Sequence, residues 1–357
     1  MLINIATAVP PYKLEQKSVA VEIKKRINSS AAGRFIDAAM NNSGIETRNF
    51  VVSDGGSSNE EDFFTNGIPS TEKRMVHYEK WSKKLVFEAV EKVLKTSELS
   101  ISDITRIITI SCTGFFAPGL DYEIINKFDI PKNVKRTNIG FMGCAASIIG
   151  FSAALDALSS DREENILMVS VELCSIHLQF EPTRDNILAN TVFADGSAAV
   201  ILSNKIKQSE GAKLKLQKTR SILFENSAEF MGWKIADTGF NMILSSALPK
   251  IILETASPEL KTILKEFGVE KEKIKFWALH PGGRAILDAI KEGMNFNEEQ
   301  MKASRNVLKR NGNMSSASIL FVIEEILKSE KINRGDKLCA VAFGPGLTME
   351  VALFTAE

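Results

Sequence analysis

Short apolar runs alternate along the chain with longer stretches in which apolar residues recur at helical spacing. The runs at 104–111, 165–171 and 198–202 are apolar almost throughout and predict buried strands. Residues 73–94 place charges between apolar positions three or four apart, which predicts an amphipathic helix. Because strands that are apolar on both faces occur in parallel or mixed sheets covered by helices, the pattern predicts an α/β fold.

The polar stretches predict where these elements are interrupted. The apolar start of the chain ends at Pro10 and lacks basic residues, so it predicts a first strand and not a signal peptide. Residues 53–70, rich in Gly, Ser and acidic residues, predict a surface loop. The Lys-rich stretch 205–216 predicts a connection between a first half, residues 1–205, and a second half, residues 206–357.

The second half repeats the alternation of the first. Its predicted strands and helices are 274–279, 284–291, 314–328, 338–343 and 350–355. A Phe-x-x-Gly segment begins at Phe193 and precedes the strand at 198–202, and another begins 150 residues later at Phe343, before the strand at 350–354. Such a repeat is typical of a duplicated α/β unit.

Composition narrows the classes of function. The 357 residues are 44% hydrophobic and 25% charged, as in ordinary globular proteins, and this length suits two halves of one large fold. Lys and Arg together number 44, as do Asp and Glu, so the net charge of zero gives no reason to expect nucleic acid or an anionic membrane as a partner. We expect no membrane span, because no apolar run approaches the roughly 18 residues that a helix needs to cross a bilayer.

The four cysteines, Cys112, Cys144, Cys174 and Cys339, are widely spaced and form no CxxC pair. This spacing argues against a disulfide framework and predicts a reducing, cytoplasmic location. Each Cys is therefore a candidate either for reactivity or for packing.

Cys144 is the candidate nucleophile. It lies in the segment GFMGCAAS, where a predicted strand is followed by a Gly turn and an Ala-rich helix. A thiol at a helix N-terminus feels the positive end of the helix dipole, so we expect a lowered pKa and a reactive thiolate. The alternative is a buried Cys that packs as a small apolar residue.

His280 and Asn313 are candidate partners of that thiol. His280 ends a predicted strand in the segment ALHPGG, the position where site residues of α/β folds collect. Asn313, in NGNMSS, precedes an apolar helix and is a candidate amide donor to an oxyanion, an N-cap, or both. We expect His77 on the surface or in packing, and His177 in a pocket without an assigned role.

Together these segments resemble the signature blocks of type III polyketide synthases, the chalcone-synthase-like branch of the thiolase superfamily. Cys144 of GFMGCAAS is followed 136 residues later by the His of ALHPGG, 33 residues further by the Asn of NGNMSS, and near the end by FGPG. The resemblance extends from about residue 104 to the C-terminus. It implies a thiolase-like, five-layered αβαβα sandwich of two similar halves, and a homodimer that works without a metal or a prosthetic group.

The resemblance also implies roles for individual residues. Cys144, His280 and Asn313 match the catalytic triad, with the Cys in the first half and the other two in the second. The implied substrate pocket contains the gatekeeping aromatics Phe193 and Phe240, the bacterial-type extra cysteines Cys112 and Cys174, Ser315, and the loop Gly344, Pro345 and Gly346.

The reaction that the resemblance implies is an iterative, decarboxylative Claisen condensation. Malonyl-CoA extends an acyl starter held on Cys144, and the product cyclises to a pyrone or an aromatic polyketide. A low-pKa thiol is needed to accept the acyl group, and N–H donors are needed to stabilise the enolate. The sequence leaves open whether the starter arrives on CoA or on a carrier protein.

Two departures from plant members bear on the substrate. The Lys and Arg residues that bind coenzyme A phosphates in plant enzymes have no counterparts in the segment FIDAAMNN. The nearby cations that are candidates to replace them are Lys24, Lys25, Arg26 and Arg34. Ala117 stands where plant members carry the Met that reaches across the dimer.

Three alternative functions are compatible with parts of the same pattern. A ketoacyl-ACP synthase III-like enzyme, which makes a single condensation, shares the triad types but typically has HQAN where this chain has HPGG. A catalytically inactive partner subunit usually lacks the nucleophile, which this chain retains. The order Cys, His, Asn also occurs in papain-like proteases, but there the Cys lies near the mature N-terminus and is followed by Trp.

Overall fold

The computed structural model describes residues 2–53, 63–65, 67–205 and 214–357. Its strands are β1 (Leu2–Ala8), β2 (Tyr12–Glu15), β3 (Thr47–Phe50), β4 (Arg106–Ser111), β5 (Lys135–Gly140), β6 (Asn165–Leu173), β7 (Asp195–Ser203), β8 (Leu214–Leu223), β9 (Met231–Ala236), β10 (Gly239–Leu244), β11 (Phe276–Leu279), β12 (Lys337–Gly344) and β13 (Thr348–Ala356). Its α-helices are α1 (Gln16–Ile27), α2 (Ser30–Asn42), α3 (Thr71–Lys95), α4 (Leu120–Phe128), α5 (Ala146–Leu158), α6 (Arg184–Val192), α7 (Leu248–Ile251), α8 (Ser257–Glu266), α9 (Arg284–Met294), α10 (Glu298–Asn311) and α11 (Ser318–Ser329). Short 3₁₀ turns at Gly143–Ala145 and Ser315–Ala317 precede α5 and α11.

Two mixed sheets repeat one topology. The first has the strand order β1-β7-β6-β4-β5 and the second has the order β8-β13-β12-β11. In each sheet the first two pairs of neighbouring strands are antiparallel and the third pair is parallel. The first sheet is built from residues 2–203 and the second from residues 214–356. The predicted division after Lys205 lies between them and stays a prediction.

The layers follow the predicted five-layered αβαβα sandwich. Helices α5 and α11 lie between the sheets and contact both of them. Helices α3 and α4 cover the outer face of the first sheet, and α8, α9 and α10 cover the second. Helix α5 suits the central layer because it is apolar nearly all round: Ile148, Phe151 and Ala154 are all buried.

Most predicted elements are found close to their expected bounds. The predicted helix at 73–94 is α3, and the apolar runs at 104–111, 165–171 and 198–202 are β4, β6 and β7. Most of the predicted loop at 53–70 lies outside the described residues, and so do residues 206–213. In the part of the chain that the structure describes, no helix is both long enough and apolar enough to cross a membrane.

Strand direction determines where the site forms. Strands β4, β5 and β6 are parallel neighbours, so their carboxyl ends meet at one edge of the first sheet. Cys112 follows β4, Cys144 follows β5 after a short turn, and Cys174 follows β6. In the second sheet His280 follows β11 in the same way. These candidate site residues therefore lie at the carboxyl ends of parallel strands in both sheets.

Candidate active site

Cys144 lies in the 3₁₀ turn that leads into α5, and its side chain is buried. Its Sγ is 3.6 Å from Ser315 Oγ, on the corresponding 3₁₀ turn before α11. Gly143 allows the tight approach to the helix because its φ of +64° lies in the left-handed region that favours glycine. The two equivalent turns of the duplicated fold thus face each other, and the thiol lies between them.

The predicted lowering of the thiol pKa is wrong. The pKa of Cys144 is raised to about 12: burial is the main cause, the hydrogen bonds with Ser315 and Asn313 oppose it, and the charge of Glu172 adds to it. A helix N-terminus stabilises an anion by only about 0.3–1 kcal/mol, which is less than one pKa unit, whereas full burial moves a pKa by up to about 3–5 units. Desolvation therefore outweighs the helix dipole, and Cys144 is a thiol at neutral pH.

His280 is buried at the carboxyl end of β11. Its backbone N–H donates to the Val341 carbonyl at 2.8 Å, which extends the ladder to β12 by one residue. Neither ring nitrogen has a hydrogen-bond partner among the described residues, and burial lowers the imidazole pKa to about 3. The ring is therefore neutral, and neither of its nitrogens is engaged by another described residue.

Asn313 is held by both its backbone and its side chain. Its N–H donates to the Val192 carbonyl and its carbonyl accepts from Ala194 N, each at 2.8 Å. Its Oδ1 accepts from Ser315 N at 2.9 Å, two residues further along the chain, while Nδ2 donates to the Gly282 carbonyl at 3.3 Å. The N-cap interpretation is wrong, because the N-cap of the 3₁₀ turn is Met314 and that of α11 is Ala317. The amide-donor interpretation stays a prediction.

A buried carboxylate, Glu172, lies behind the nucleophile. It accepts from Cys112 N at 3.0 Å, from Thr113 Oγ1 at 2.8 Å and from Ser316 Oγ. Burial raises the pKa of Glu172, and its charge raises the pKa of the Cys112 and Cys174 thiols beyond the effect of their own burial. The two extra cysteines are therefore protonated neighbours of Cys144 at neutral pH.

Cys112 and Cys174 contact different sides of the site. Cys112 Sγ accepts from Gly143 N at 3.0 Å, directly before the nucleophile. Cys174 packs with Cys144 and Phe193 in one small apolar cluster. The structure thus brings both predicted cysteines and Phe193 to Cys144.

A wall of rings limits the space beside this cluster. His177 stacks on Phe240 with ring centroids 4.2 Å apart, and Trp233 meets both rings edge to face. His177 donates from Nε2 to the Thr113 carbonyl at 2.7 Å and accepts the Phe240 N–H at Nδ1 at 3.1 Å. Burial lowers its pKa to about 3, so the ring is neutral. Cys174, Phe193 and these three rings line a cavity of about 20 Å³, room for roughly one water.

The 344–346 loop packs behind the nucleophile turn. A Cβ on Gly143 would lie 2.2 Å from Pro345 Cδ, and one on Gly344 would lie 3.1 Å from Ala145 Cβ. Gly346 N donates to the Met231 carbonyl at 3.3 Å, two residues before Trp233. The loop therefore supports Cys144 from the second half of the chain.

Two of the four candidate phosphate-binding cations are engaged within the protein. Lys24 Nζ pairs with Asp37 at 2.6 Å, and Arg26 donates to the Phe64 carbonyl at 2.9 Å. Lys25 and Arg34 are exposed. Ala117 is also exposed, on the loop that follows β4.

Sequence patterns did not predict three residues of the site. Glu172 carried a signal, since a charged residue near the end of an otherwise apolar strand requires internal partners. Trp233, whose Nε1 donates to the Cys112 carbonyl at 2.9 Å, lies in a hairpin with no recognisable motif. Ser316 was inside a quoted block, but no pattern indicated that it contacts a carboxylate.

Two descriptions of protein families match most of the chain. A family described as FAE1/type III polyketide synthase-like protein matches residues 15–270. A second, described as chalcone and stilbene synthases, C-terminal domain, matches residues 213–356.

Individual relatives agree along their lengths. The chain is 27% identical to a putative chalcone synthase of Bacillus subtilis (strain 168), over 100% of this chain and 98% of that protein. It is 29% identical to 1,3,6,8-tetrahydroxynaphthalene synthase of Streptomyces coelicolor, over 87% and 80%. It is 26% identical to an alpha-pyrone synthesis polyketide synthase-like protein of Mycobacterium tuberculosis, over 98% and 90%.

Solved structures agree with the fold. PKS-I of the brown alga Ectocarpus siliculosus superposes with a TM-score of 0.92 at 27% identity, covering 99% of this chain and 97% of the other. The Streptomyces coelicolor tetrahydroxynaphthalene synthase, a bacterial type III polyketide synthase, superposes with a TM-score of 0.89 at 27% identity, covering 99% and 98%.

Proposed function

Because this chain belongs to the type III polyketide synthase family, we propose that its site extends an acyl starter on Cys144 by iterative, decarboxylative condensation of malonyl-CoA. The enzyme is a decarboxylating, condensing acyltransferase, as members of that family are. The relatives named for tetrahydroxynaphthalene and alpha-pyrone synthesis support cyclisation to an aromatic polyketide or a pyrone.

The observation that carries the proposal is the convergence of two halves on one thiol. Cys144 comes from the first half, while Asn313 and Ser315, which hydrogen-bond it, come from the second. Acyl transfer requires a thiol, a base and hydrogen-bond donors, and in this proposal Cys144, the neutral His280 imidazole and the Asn313 amide supply them.

Loading of the starter begins with a neutral pair. Since burial raises the Cys144 pKa and lowers the His280 pKa, the proton stays on sulfur until a thioester is bound. Sγ then forms a bond to the thioester carbonyl carbon while His280 accepts the thiol proton. The bond from that carbon to the CoA sulfur breaks, and His280 returns the proton to the departing CoA thiolate.

Extension uses His280 and Asn313 as hydrogen-bond donors to the malonyl thioester oxygen. The bond between the malonyl carboxylate and its α-carbon breaks, carbon dioxide leaves, and the electron pair forms an enolate. N–H groups of His280 and Asn313 stabilise the enolate oxygen, an effect of about 3–4 kcal/mol per donor in comparable sites. The enolate carbon then attacks the acyl carbonyl on Cys144, and Sγ departs with the electron pair of the broken thioester bond.

The decisive experiment compares the wild type with Cys144→Ala. Each protein is incubated with radiolabelled malonyl-CoA and a panel of acyl-CoA starters, and products are identified by mass spectrometry. We expect pyrone or aromatic products from the wild type and none from Cys144→Ala. Cys339→Ala is the matched control, because Cys339 is a buried cysteine on β12 that packs with the outer helices.

Other outcomes separate the alternatives. A single β-ketoacyl product that forms only with a carrier protein would support the ketoacyl-ACP synthase III-like function. Absence of decarboxylation with every donor would support an inactive partner subunit. Comparing acyl-CoA with acyl-carrier starters in the same assay identifies the starter's carrier.

The edge of the first sheet supports a homodimer. Among the described residues, strand β5 pairs with β4 on one side and with no strand on the other, and an unpaired edge is a template for another strand. Phe115 and Met142, which flank this region, are 58% and 43% exposed. Light scattering after gel filtration should give a species of twice 39.3 kDa; a mass of 39.3 kDa at micromolar concentration would contradict the dimer.

Two further features belong to the proposal. The reaction uses no resident metal or prosthetic group, since a thiol, an imidazole and an amide supply every step above; turnover that survives dialysis against EDTA would support this. The location is cytoplasmic, consistent with four buried cysteines that form no disulfide in the described residues. Cell fractionation tests the location.

A further inference from the structure

Arg48, on β3, is a fully buried guanidinium close to the site. Its Nη1 donates to the carbonyls of Asn190 and Phe193, each at 2.7 Å. These carbonyls belong to the end of α6 and the residue after it, in the first half of the chain. Arg48 therefore holds the backbone on which the Phe193 ring is mounted.

The same segment holds Asn313. Asn313 bonds through its backbone to Val192 and Ala194, the two neighbours of Phe193. Gly312, directly before Asn313, lies against the Arg48 stem: a Cβ there would come within 2.9 Å of Arg48 Cγ. Arg48 thus contacts the chain on both sides of the bridge that holds Asn313.

Strand β3 is itself attached to the second half. Thr47 Oγ1 donates to the Arg310 carbonyl at 2.7 Å, and Glu46 N donates to the Lys309 carbonyl at 2.8 Å. Both acceptors are in the last turn of α10, which leads to Asn313. The base of the Arg48 side chain is therefore tied to one half while its tip is tied to the other.

This arrangement is costly for the fold. Burial lowers the Arg48 pKa to about 9, so the group is still charged at neutral pH, and Nε and Nη2 have no acceptor among the described residues. The carboxylate of Asp195 opposes the shift, but it accepts its own hydrogen bonds from Val51 N and Ser175 N, each at 2.7 Å. Replacing such buried charges by apolar residues often stabilises a protein, so a function of Arg48 beyond stability is indicated.

We propose that Arg48 is a positioning residue that sets the Asn313 amide for the decarboxylation step, by clamping the segments 190–193 and 312–313 together. The inference rests on the proposed function, because Asn313 acts there as a donor to the enolate. Arg48 does not touch the reacting atoms; it acts through the backbone on which Asn313 is fixed.

A double-mutant cycle on malonyl-CoA decarboxylation tests this. Arg48→Lys keeps the charge but cannot donate to both carbonyls in one plane. Because misplacement of a catalytic group slows the reaction, kcat should fall by about tenfold or more, and KM should stay nearly unchanged. In the Asn313→Ala background the same substitution should have less than about a twofold effect, because the group that it misplaces is gone. Equal losses in both backgrounds would overturn the proposal.

Arg106→Lys is the matched control. Arg106 begins β4, at the end of the strand far from the site. Its partner Glu164 also pairs with Lys135, at 2.6 Å, and would keep that ion pair in the variant. Its kcat should match the wild type. If Arg48→Lys does not fold, Arg48→Gln, which keeps an N–H donor without the buried charge, replaces it in the cycle.

A crystal structure of the Arg48 variant decides the question without an activity assay. We expect the Asn313 Nδ2 to Gly282 O distance to depart from 3.3 Å; an unchanged distance would overturn the proposal. Because this readout needs no turnover, failure of the wild type to decarboxylate malonyl-CoA would refute the proposed function and still leave the test of Arg48 intact.

Discussion

Gly143 lies in direct contact with Pro345, so close that a Cβ on the glycine would be 2.2 Å from the proline Cδ. The glycine immediately precedes the nucleophile in the first half of the chain, and the proline lies between β12 and β13 in the second. The contact fixes the position of the 3₁₀ turn that carries Cys144 relative to the second half of the chain. It leaves no room for a side chain at position 143.

Gly143→Ala should therefore destabilise the protein and abolish condensation. The left-handed φ of +64° costs a non-glycine residue about 1–2 kcal/mol, and the forced contact with Pro345 adds about 1–3 kcal/mol. The midpoint of urea unfolding and product formation measure the two effects.

Gly268→Ala is the matched control for this substitution. Gly268 has a nearly equal φ of +69°, but a Cβ there would meet nothing within 4 Å. It should lose only the conformational part of the stability and keep its activity. Equal destabilisation of the two variants would contradict a role for the Pro345 contact.

The raised thiol pKa predicts the pH dependence of Cys144 alkylation. With a pKa of about 12, the thiolate fraction stays below about 1% up to pH 9.5 and rises tenfold with each pH unit. The logarithm of the rate of carboxamidomethylation should therefore climb with a slope near one from pH 6 to pH 10. Peptide mass spectrometry assigns the modified residue.

A thiolate–imidazolium pair would give a different profile. It would produce a fast, pH-independent rate between pH 6 and pH 8 that His280→Ala would remove. That plateau would show that the neutral pair described above is wrong.

The ring wall predicts how starter size can be changed. Trp233→Ala removes the indole whose Nε1 donates to the Cys112 carbonyl and opens the small cavity beside Phe193. We expect kcat/KM for a hexanoyl starter, relative to acetyl, to rise by at least about tenfold, since one methylene in an apolar pocket discriminates by that amount or more. Steady-state kinetics with both starters measure the ratio.

Trp81→Ala provides the comparison for Trp233. Trp81 is a buried tryptophan on α3, outside the ring wall. It should lose stability without a change in the starter ratio. An unchanged ratio in Trp233→Ala would show that the wall does not limit the starter.

Glu350 predicts a pH-dependent stability. This buried carboxyl accepts from Ser221 Oγ at 2.5 Å, and burial raises its pKa to about 7 from an ordinary 4.5. The folded protein therefore holds the proton more tightly than the unfolded chain, and stability is lost as the pH rises from 4.5 through 7. Glu350→Gln imitates the protonated acid at every pH.

Urea unfolding at pH 5 and pH 8 tests this linkage. The wild type and Glu350→Gln should be nearly equal at pH 5, and the variant should be more stable at pH 8 by about 2 kcal/mol. The exposed Glu254→Gln serves as control and should match the wild type at both pH values. A variant that is no more stable at pH 8 would refute the raised pKa.

The order of elements could be predicted from the sequence, and so could the position of the three candidate triad residues at element ends, whereas their catalytic roles stay predictions. Apolar runs and helical periodicity are local properties, so the bounds of α3, β4, β6 and β7 followed from them closely. Cys144, His280 and Asn313 each followed an element end within a recognisable block, and element ends are where α/β folds place site residues. These inferences required no knowledge of which residues are neighbours in space.

The sign of the Cys144 pKa shift was decided only by the tertiary structure. The sequence showed a helix N-terminus, which favours the thiolate, but it did not show how completely the two facing turns exclude water. Glu172 behind the thiol, the rings of His177 and Trp233, and the Arg48 clamp depend in the same way on contacts between segments far apart in sequence. Desolvation and hydrogen bonding depend on what surrounds a group in three dimensions, and that is determined when the two halves pack together.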